Sequence, residues 1–339
     1  MALPIIARPL PDSPVQKPVL ISYIVLVLTL VLVGCLHLAT PFIVVMFACF
    51  LLRKLAFFRK KWIAVVCFLV LAAAIFCGFT LFLKNQASII LPKIVATAIP
   101  LVVDFADKHG IGLPFEDLPS LKDFALDSVK ETLGYLGNFA KIGKEFALLV
   151  MAVAVGIGVF INPKLDQESD PHSRKTNLYS VYCALISERF AAFYRSFERV
   201  MGAQLIISTI NTVLTALFVY SMSLPYAHMV VVLTFLCGLL PIIGNLVSNA
   251  VIVGIAFMVS PSFAMAALIF LIVVHKLEYF LNSKIIGSRI RHPMWLILLG
   301  LILGEQLMGI PGMILAPVVL NFIKTESMQI PADKNQTGA

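Results

Sequence analysis

Residues 275–317 read HKLEYFLNSKIIGSRIRHPMWLILLGLILGEQLMGIPGMILAP, and the fold depends on how this stretch is understood. Glu278 stands at the end of one apolar run. Lys284, Gly287, Arg289, Arg291 and the His292-Pro293 pair then make a short basic segment. A second apolar run follows, interrupted by Gly304, Glu305, Gly309, Pro311 and Gly312. In lipid, a carboxylate and backbone groups freed by helix breakers are costly unless neighbouring helices satisfy them. The stretch therefore implies a helical bundle around it.

Composition agrees. The chain is 60% hydrophobic and 13% charged, with a mean hydropathy of +0.97. Soluble domains carry about 45–50% apolar and about 25% charged residues. This excess excludes a soluble enzyme, and the continuous rather than alternating apolar runs exclude a membrane β-barrel. The expected fold class is all-α: a polytopic transmembrane helical bundle of about eight spans, two of its segments discontinuous or re-entrant, with a small amphipathic helical region outside the membrane. The net charge of +8 is concentrated in short loops beside apolar runs. That is the positive-inside pattern of a membrane protein, so no nucleic-acid partner is expected. The six cysteines show neither CxxC nor Cys/His ligand spacing and read as packing residues. No cofactor, metal site or catalytic constellation is expected.

Working outward, residues 1–18 are proline-rich and read as a disordered cytoplasmic lead-in without a secretory cleavage site. Residues 19–83 hold three transmembrane segments, 19–35, 42–52 and 62–83, the first two forming a tight hairpin. Arg53, Lys54, Arg59, Lys60 and Lys61 lie between the second and third and place that loop in the cytoplasm. Residues 84–145 change character: charges nearly balance, and apolar residues take helical spacing over 91–105. They do so again after a Ser120–Asp123 capping box, at Leu121, Phe124, Ala125, Ser128, Val129 and Leu133. This is an outer amphipathic helical region, lying at the outer leaflet or serving as a solvated spacer. Residues 146–162 form a further span, in which Gly156 and Gly158 allow close packing.

Residues 163–201 return to the cytoplasm. Val181, Tyr182, Leu185, Ile186, Phe190, Phe193 and Phe197 share one face, with Glu188, Arg189, Arg195, Glu198 and Arg199 largely elsewhere. Such a helix suits the interface, or couples the bundle to itself or to a neighbour. Residues 202–323 are the transmembrane core, and 324–339 a disordered cytoplasmic tail. The core contains a span at 202–223, a segment split at Pro241, Gly244 and Asn245, and a span at 263–281. A cytoplasmic loop over 282–292 and a segment split over 304–312 complete it.

Glu278 is the leading candidate for chemistry, because a carboxylate at the end of a membrane helix can bind a cation or carry a proton. Its bland alternative is an interfacial ion pair with Lys276, Lys284 or Arg291. Asn245 and Asn249 bring amides to membrane depth beside the first break, where freed backbone groups can coordinate ions or polar solutes. Asn211 reads as an interhelical hydrogen-bonding residue. Asn282, Gly287 and Pro293 fit a cytoplasmic hinge or gate. Glu305 suits an outer gate or, better, the solvated tip of a hairpin. Pro241, Gly244, Gly304, Gly309, Pro311 and Gly312 are the expected helix breaks and gating points, and the two breaks are expected to meet near Glu278.

From Arg199 onward the chain resembles the autoinducer-2 exporter (AI-2E) family of bacterial permeases. The resemblance is carried in order by RVMGAQLIISTINTVLTALFVYSMSLPYAH, LCGLLPIIGN, LEYFLNSKIIGSRIRHP and LLGLILGEQLMGIPGMILAPVV. One departure is Ser283, where the family usually has proline before the Lys-Ile-Ile-Gly turn. The resemblance implies a multi-pass transporter of the bacterial inner membrane, linked either to export of a small polar signal or to sodium/proton or similar cation exchange. The expected partners are the lipid bilayer and a small polar solute, a monovalent cation or a proton, and the bundle admits a homo-oligomer. A non-transporting membrane scaffold is the alternative from another class.

Overall fold

A computed structural model of the chain describes residues 17–56, 60–82, 88–108, 139–163, 178–240, 243–285 and 293–329. Among these residues the secondary structure is helical throughout, without strands. The helices are α1 (Lys17–Cys35), α2 (Ala39–Leu55), α3 (Lys61–Phe82), α4 (Ser88–Lys108), α5 (Phe139–Ile161) and α6 (Leu178–Ser221). They continue with α7 (Ala227–Gly238), α8 (Ile243–Val259), α9 (Pro261–Ile285), α10 (Met294–Met308) and α11 (Ile310–Ser327). Five of them are long and apolar enough to cross a membrane, and α7, α8 and α10 are shorter apolar helices. The chain is thus a polytopic helical membrane bundle. Pro241, Gly287 and the Ser120–Asp123 box with the helix expected after it lie outside the described residues.

The spine is α6. Its 44 residues extend about 66 Å, twice the roughly 30 Å hydrocarbon thickness. The cytoplasmic helix and the span expected on either side of residue 201 are one continuous helix. Nothing between Val200 and Gly202 stops it, since no proline intervenes and Gly202 makes only ordinary contact with Phe50. The N-terminal half of α6 packs with α1, α2 and α11 around Phe193, Phe197, Met201, Val318 and Phe322. From Arg189 to Met201 one face of this half is buried in the bundle rather than laid on a surface, while its first turn, with Leu178 and Tyr179, is exposed. The C-terminal half packs with α4, α7, α8 and α9 around Val219, Met229, Ile252, Ile255 and Ala264. Phe218 and Phe270 stack there at 4.2 Å.

Small residues set the closest approaches. On α5, Gly156 lies against Ala48 of α2, where an added Cβ would come within 2.7 Å of the alanine methyl, while Gly158 faces open space. Only Gly156 therefore acts as the contact expected of both. The split at 304–312 narrows to one residue. Gly309, at φ +65°, turns the chain between α10 and α11, a backbone region that glycine enters without steric cost. Pro311 opens α11, where a missing N–H is harmless. Gly304 and Gly312 are helical, not breaks: they face each other backbone to backbone, and a Cβ on either would strike the other helix.

The turn ends sort onto two faces. Met308 reaches Gly34 of α1, so the α10–α11 tip and the His37 turn share a face. At the opposite face, Lys54 pairs with Glu198 at 3.5 Å, Arg53 lies 4.4 Å over Tyr194, and Lys61 donates to the Ile161 carbonyl at 3.0 Å.

The tail expected from residue 324 begins later, because α11 continues to Ser327 and buries Glu326. The lead-in expected through residue 18 ends earlier, with α1 starting at Lys17. Likewise α9 continues to Ile285, so Asn282 stands on a helix rather than in the loop expected over 282–292. The region after α3 contributes α4, whose Ile90, Ile94 and Ala98 join the α7–α9 core instead of standing apart from the bundle.

Candidate functional site

The first break is held together from α6. Where α7 ends at Gly238, its last carbonyls lose their helical partners. The α6 side chains supply replacements: Gln204 Nε2 donates to the Gly238 carbonyl at 2.6 Å and Ser208 Oγ to the Phe235 carbonyl at 2.8 Å. Gly238 permits this approach, since a Cβ there would lie 2.5 Å from Ser208 Oγ. Gly244, in the first turn of α8, is pressed against the Cys237 carbonyl, so only glycine fits. Asn245 follows it.

Asn245 points its amide at α9. Its Nδ2 donates to both carboxylate oxygens of Glu278, each at 2.7 Å. Asn211 of α6 brings a second side-chain amide towards the same carboxylate. Asn211 is buried, and its Oδ1 has no hydrogen-bond partner among the described residues. His275 Nδ1, one turn before Glu278, lies 4.0 Å from Oε2. Three helices thus converge on one carboxylate whose side chain is 14% exposed. Glu278 also faces the first turn of α8, where a helix's positive dipole end favours an anion. It stands about 26 Å along α9 from Pro261.

This arrangement unites Glu278 with Asn245 and brings the buried Asn211 of α6 beside them. Asn249 faces an adjoining cavity of about 830 Å³ between α4, α8 and α9, together with His275 and Lys276. Asn282 lies in the last turns of α9, and Pro293 caps α10. Glu305 is elsewhere: exposed beside the Gly309 tip, it accepts a hydrogen bond from Gln306 at 2.8 Å. The two breaks do not meet at Glu278, because α7–α8 packs on the C-terminal half of α6 and α10–α11 mainly on the N-terminal half.

A second polar cluster escaped the sequence reading. Arg189 of α6, expected on the polar face, is 2% exposed and forms a short ion pair through Nη1 with Glu326 of α11. Tyr23 of α1 donates to Glu326 Oε2 at 2.8 Å and accepts from Arg189 Nη1 at 2.7 Å. Arg189 also lies 4.7 Å over the Tyr23 ring and 3.3 Å from Glu188. The signal was present: Arg189, Phe193 and Phe197 are spaced i, i+4, i+8, and Phe322 and Glu326 are spaced i, i+4.

Apolar helices surrounding a carboxylate held by amides at a helix break define a polytopic helical membrane protein. The chain belongs to the AI-2E transporter family, whose profile, described as "AI-2E family transporter", matches residues 20–331. It is also similar to a Bacillus subtilis (strain 168) protein named "Putative transport protein YdbI", with 25% identity over 274 residues, covering 79% of this chain and 77% of that protein. The family match and this relative support a membrane permease.

Proposed function

We propose that this permease is a secondary transporter of the bacterial inner membrane. It moves a small polar solute, of the class that includes signalling molecules such as autoinducer-2, in a process coupled to an ion at Glu278. The observation that carries this reading is the convergence of Asn211, Asn245 and Glu278 from three helices at the α7–α8 break. A carboxylate surrounded by neutral amides can gain and lose a proton or cation, and a broken helix beside it can rearrange as it does so. The positive-inside pattern assigns the Arg53 face, with both termini, to the cytoplasm.

Monovalent cation/proton antiport is the second reading. It is favoured by the unpartnered Asn211 Oδ1 beside the carboxylate, because a carboxylate and an amide oxygen are hard ligands suited to such a cation. The test is flux in proteoliposomes. Glu278→Gln keeps shape and one acceptor oxygen for Asn245 but cannot ionise, so ion-coupled flux falls to background while the protein remains folded. Unchanged flux overturns the assignment. Added sodium or lithium under a pH gradient separates antiport from solute export.

A further inference from the structure

The cavity beside the polar centre has walls of a different chemistry. Apart from Asn249, His275 and Lys276, its lining is aliphatic, including Ile94, Ala98 and Val102 of α4, Val253 and Gly254 of α8, and Leu271 of α9. At about 830 Å³ it is near the upper end of the ligand-site range of about 300–1,000 Å³. A small polar solute placed there would lose its hydration and gain almost no hydrogen bonds.

The cavity is also open sideways. Leu246, Leu268 and Ile272 line it and are exposed on the bundle surface, at membrane depth. Its length along α9, from Leu268 to Lys276, is about 12 Å, close to the roughly 15 Å depth of one leaflet's hydrocarbon. Lys276 stands two residues before the end of the apolar span Pro261–Glu278. Its ammonium can therefore snorkel to the headgroup level of the nearer leaflet. His275 stands beside it, also exposed.

We propose that the groove between α4, α8 and α9 holds an acyl chain of an anionic phospholipid, with the lipid phosphate on Lys276 and His275. Carbon walls, a lateral mouth, leaflet-matched length and the Lys276 ammonium beside the His275 imidazole at the interfacial end are the complement of such a lipid. His275 also contacts Glu278, so the bound headgroup adjoins the polar centre. Lipid binding is read without flux, which makes its outcome independent of the transport reading.

The experiment is native mass spectrometry of the purified full chain with phosphatidylglycerol or phosphatidylcholine added. The wild type retains a phosphatidylglycerol in preference to phosphatidylcholine. Lys276→Glu weakens that retention about tenfold, since each basic residue near the surface favours anionic lipid by roughly that order when its charge is reversed. Ala250→Trp, which fills the groove from its exposed edge, displaces the lipid. Lys144→Glu, an equal charge change on exposed α5, leaves retention unchanged. Equal retention in the wild type and Lys276→Glu overturns the proposal, even if Ala250→Trp fails to fold. Equal preference for phosphatidylcholine overturns it as well. Displacement of phosphatidylglycerol by equimolar dodecyl phosphate assigns the groove to a soluble amphiphile and also overturns it.

Discussion

Glu278 and Glu326 are both acids drawn into the bundle, and their surroundings are opposite. Glu326 meets the guanidinium of Arg189 and the hydroxyl of Tyr23, so its charge is cancelled where it lies. Glu278 meets the amides of Asn245 and Asn211, with His275 at 4.0 Å as its nearest basic group among the ion pairs formed by described residues. Amides hydrogen-bond a carboxylate without cancelling its charge. The first cluster ties α1, α6 and α11 together. In the transport reading proposed above, the second leaves a carboxylate able to exchange its proton or cation. Burial alone does not distinguish the two acids; what compensates their charge does.

The largest expected effect breaks the first cluster. Glu326→Ala leaves buried Arg189 without its buried counter-charge, with only Tyr23 and the exposed Glu188 beside it, which costs about 3–5 kcal/mol. Thermal unfolding in detergent reads this as a large loss of stability, whereas Glu278→Gln, which retains its amide partners, shifts unfolding far less. Next in size are the hairpin contacts. Gly304→Ala forces a methyl into the Gly312 backbone and costs about 1–3 kcal/mol. Gly156→Ala, against Ala48, has a similar cost, while Gly158→Ala, facing open space, changes stability by under about 0.5 kcal/mol. Measuring that pair on one scale checks whether α2 packs on α5 as described. The smallest expected stability effect is at the second cluster. Asn211→Ala removes a buried interhelical amide and costs about 0.6–2 kcal/mol. It lowers flux more than stability if the amide serves Glu278 rather than the packing of α6.

Much of this was legible from residue order. The first two helices and their short turn, the amphipathic α4 and the break after Gly238 follow from apolar run lengths, helical spacing and the Pro241–Gly244 pair, whereas α1 and α2 pack chiefly on α6 and α5 rather than on each other as a tight hairpin. Glu278 and Asn245 were singled out because charge and amide groups are rare at membrane depth, and the structure places them 2.7 Å apart. The ion cluster was missed because aromatic residues beside arginines look interfacial. Phe193 and Phe197 carry Arg189 inward on the same helical face, and the acid that balances its charge there comes from α11, 137 residues away. The role of Gly304 and Gly312 was misread for a related reason: glycine in apolar sequence signals either a break or a close contact, and the distinction rests on the neighbouring helix. The separate packing of the two hairpins along α6 follows from its unbroken length, which the change from charged to apolar sequence near residue 201 concealed.

The central claim is that the uncompensated acid carries coupling and the compensated one carries structure. Ion-coupled flux per folded molecule in proteoliposomes tests it, comparing Glu278→Gln with the double variant Arg189→Met/Glu326→Leu, which replaces the ion pair by apolar side chains of similar volume. The account predicts a folded but inactive Glu278→Gln and an active double variant. A Glu278→Gln protein that transports normally, with an equally well folded double variant that does not, would contradict it.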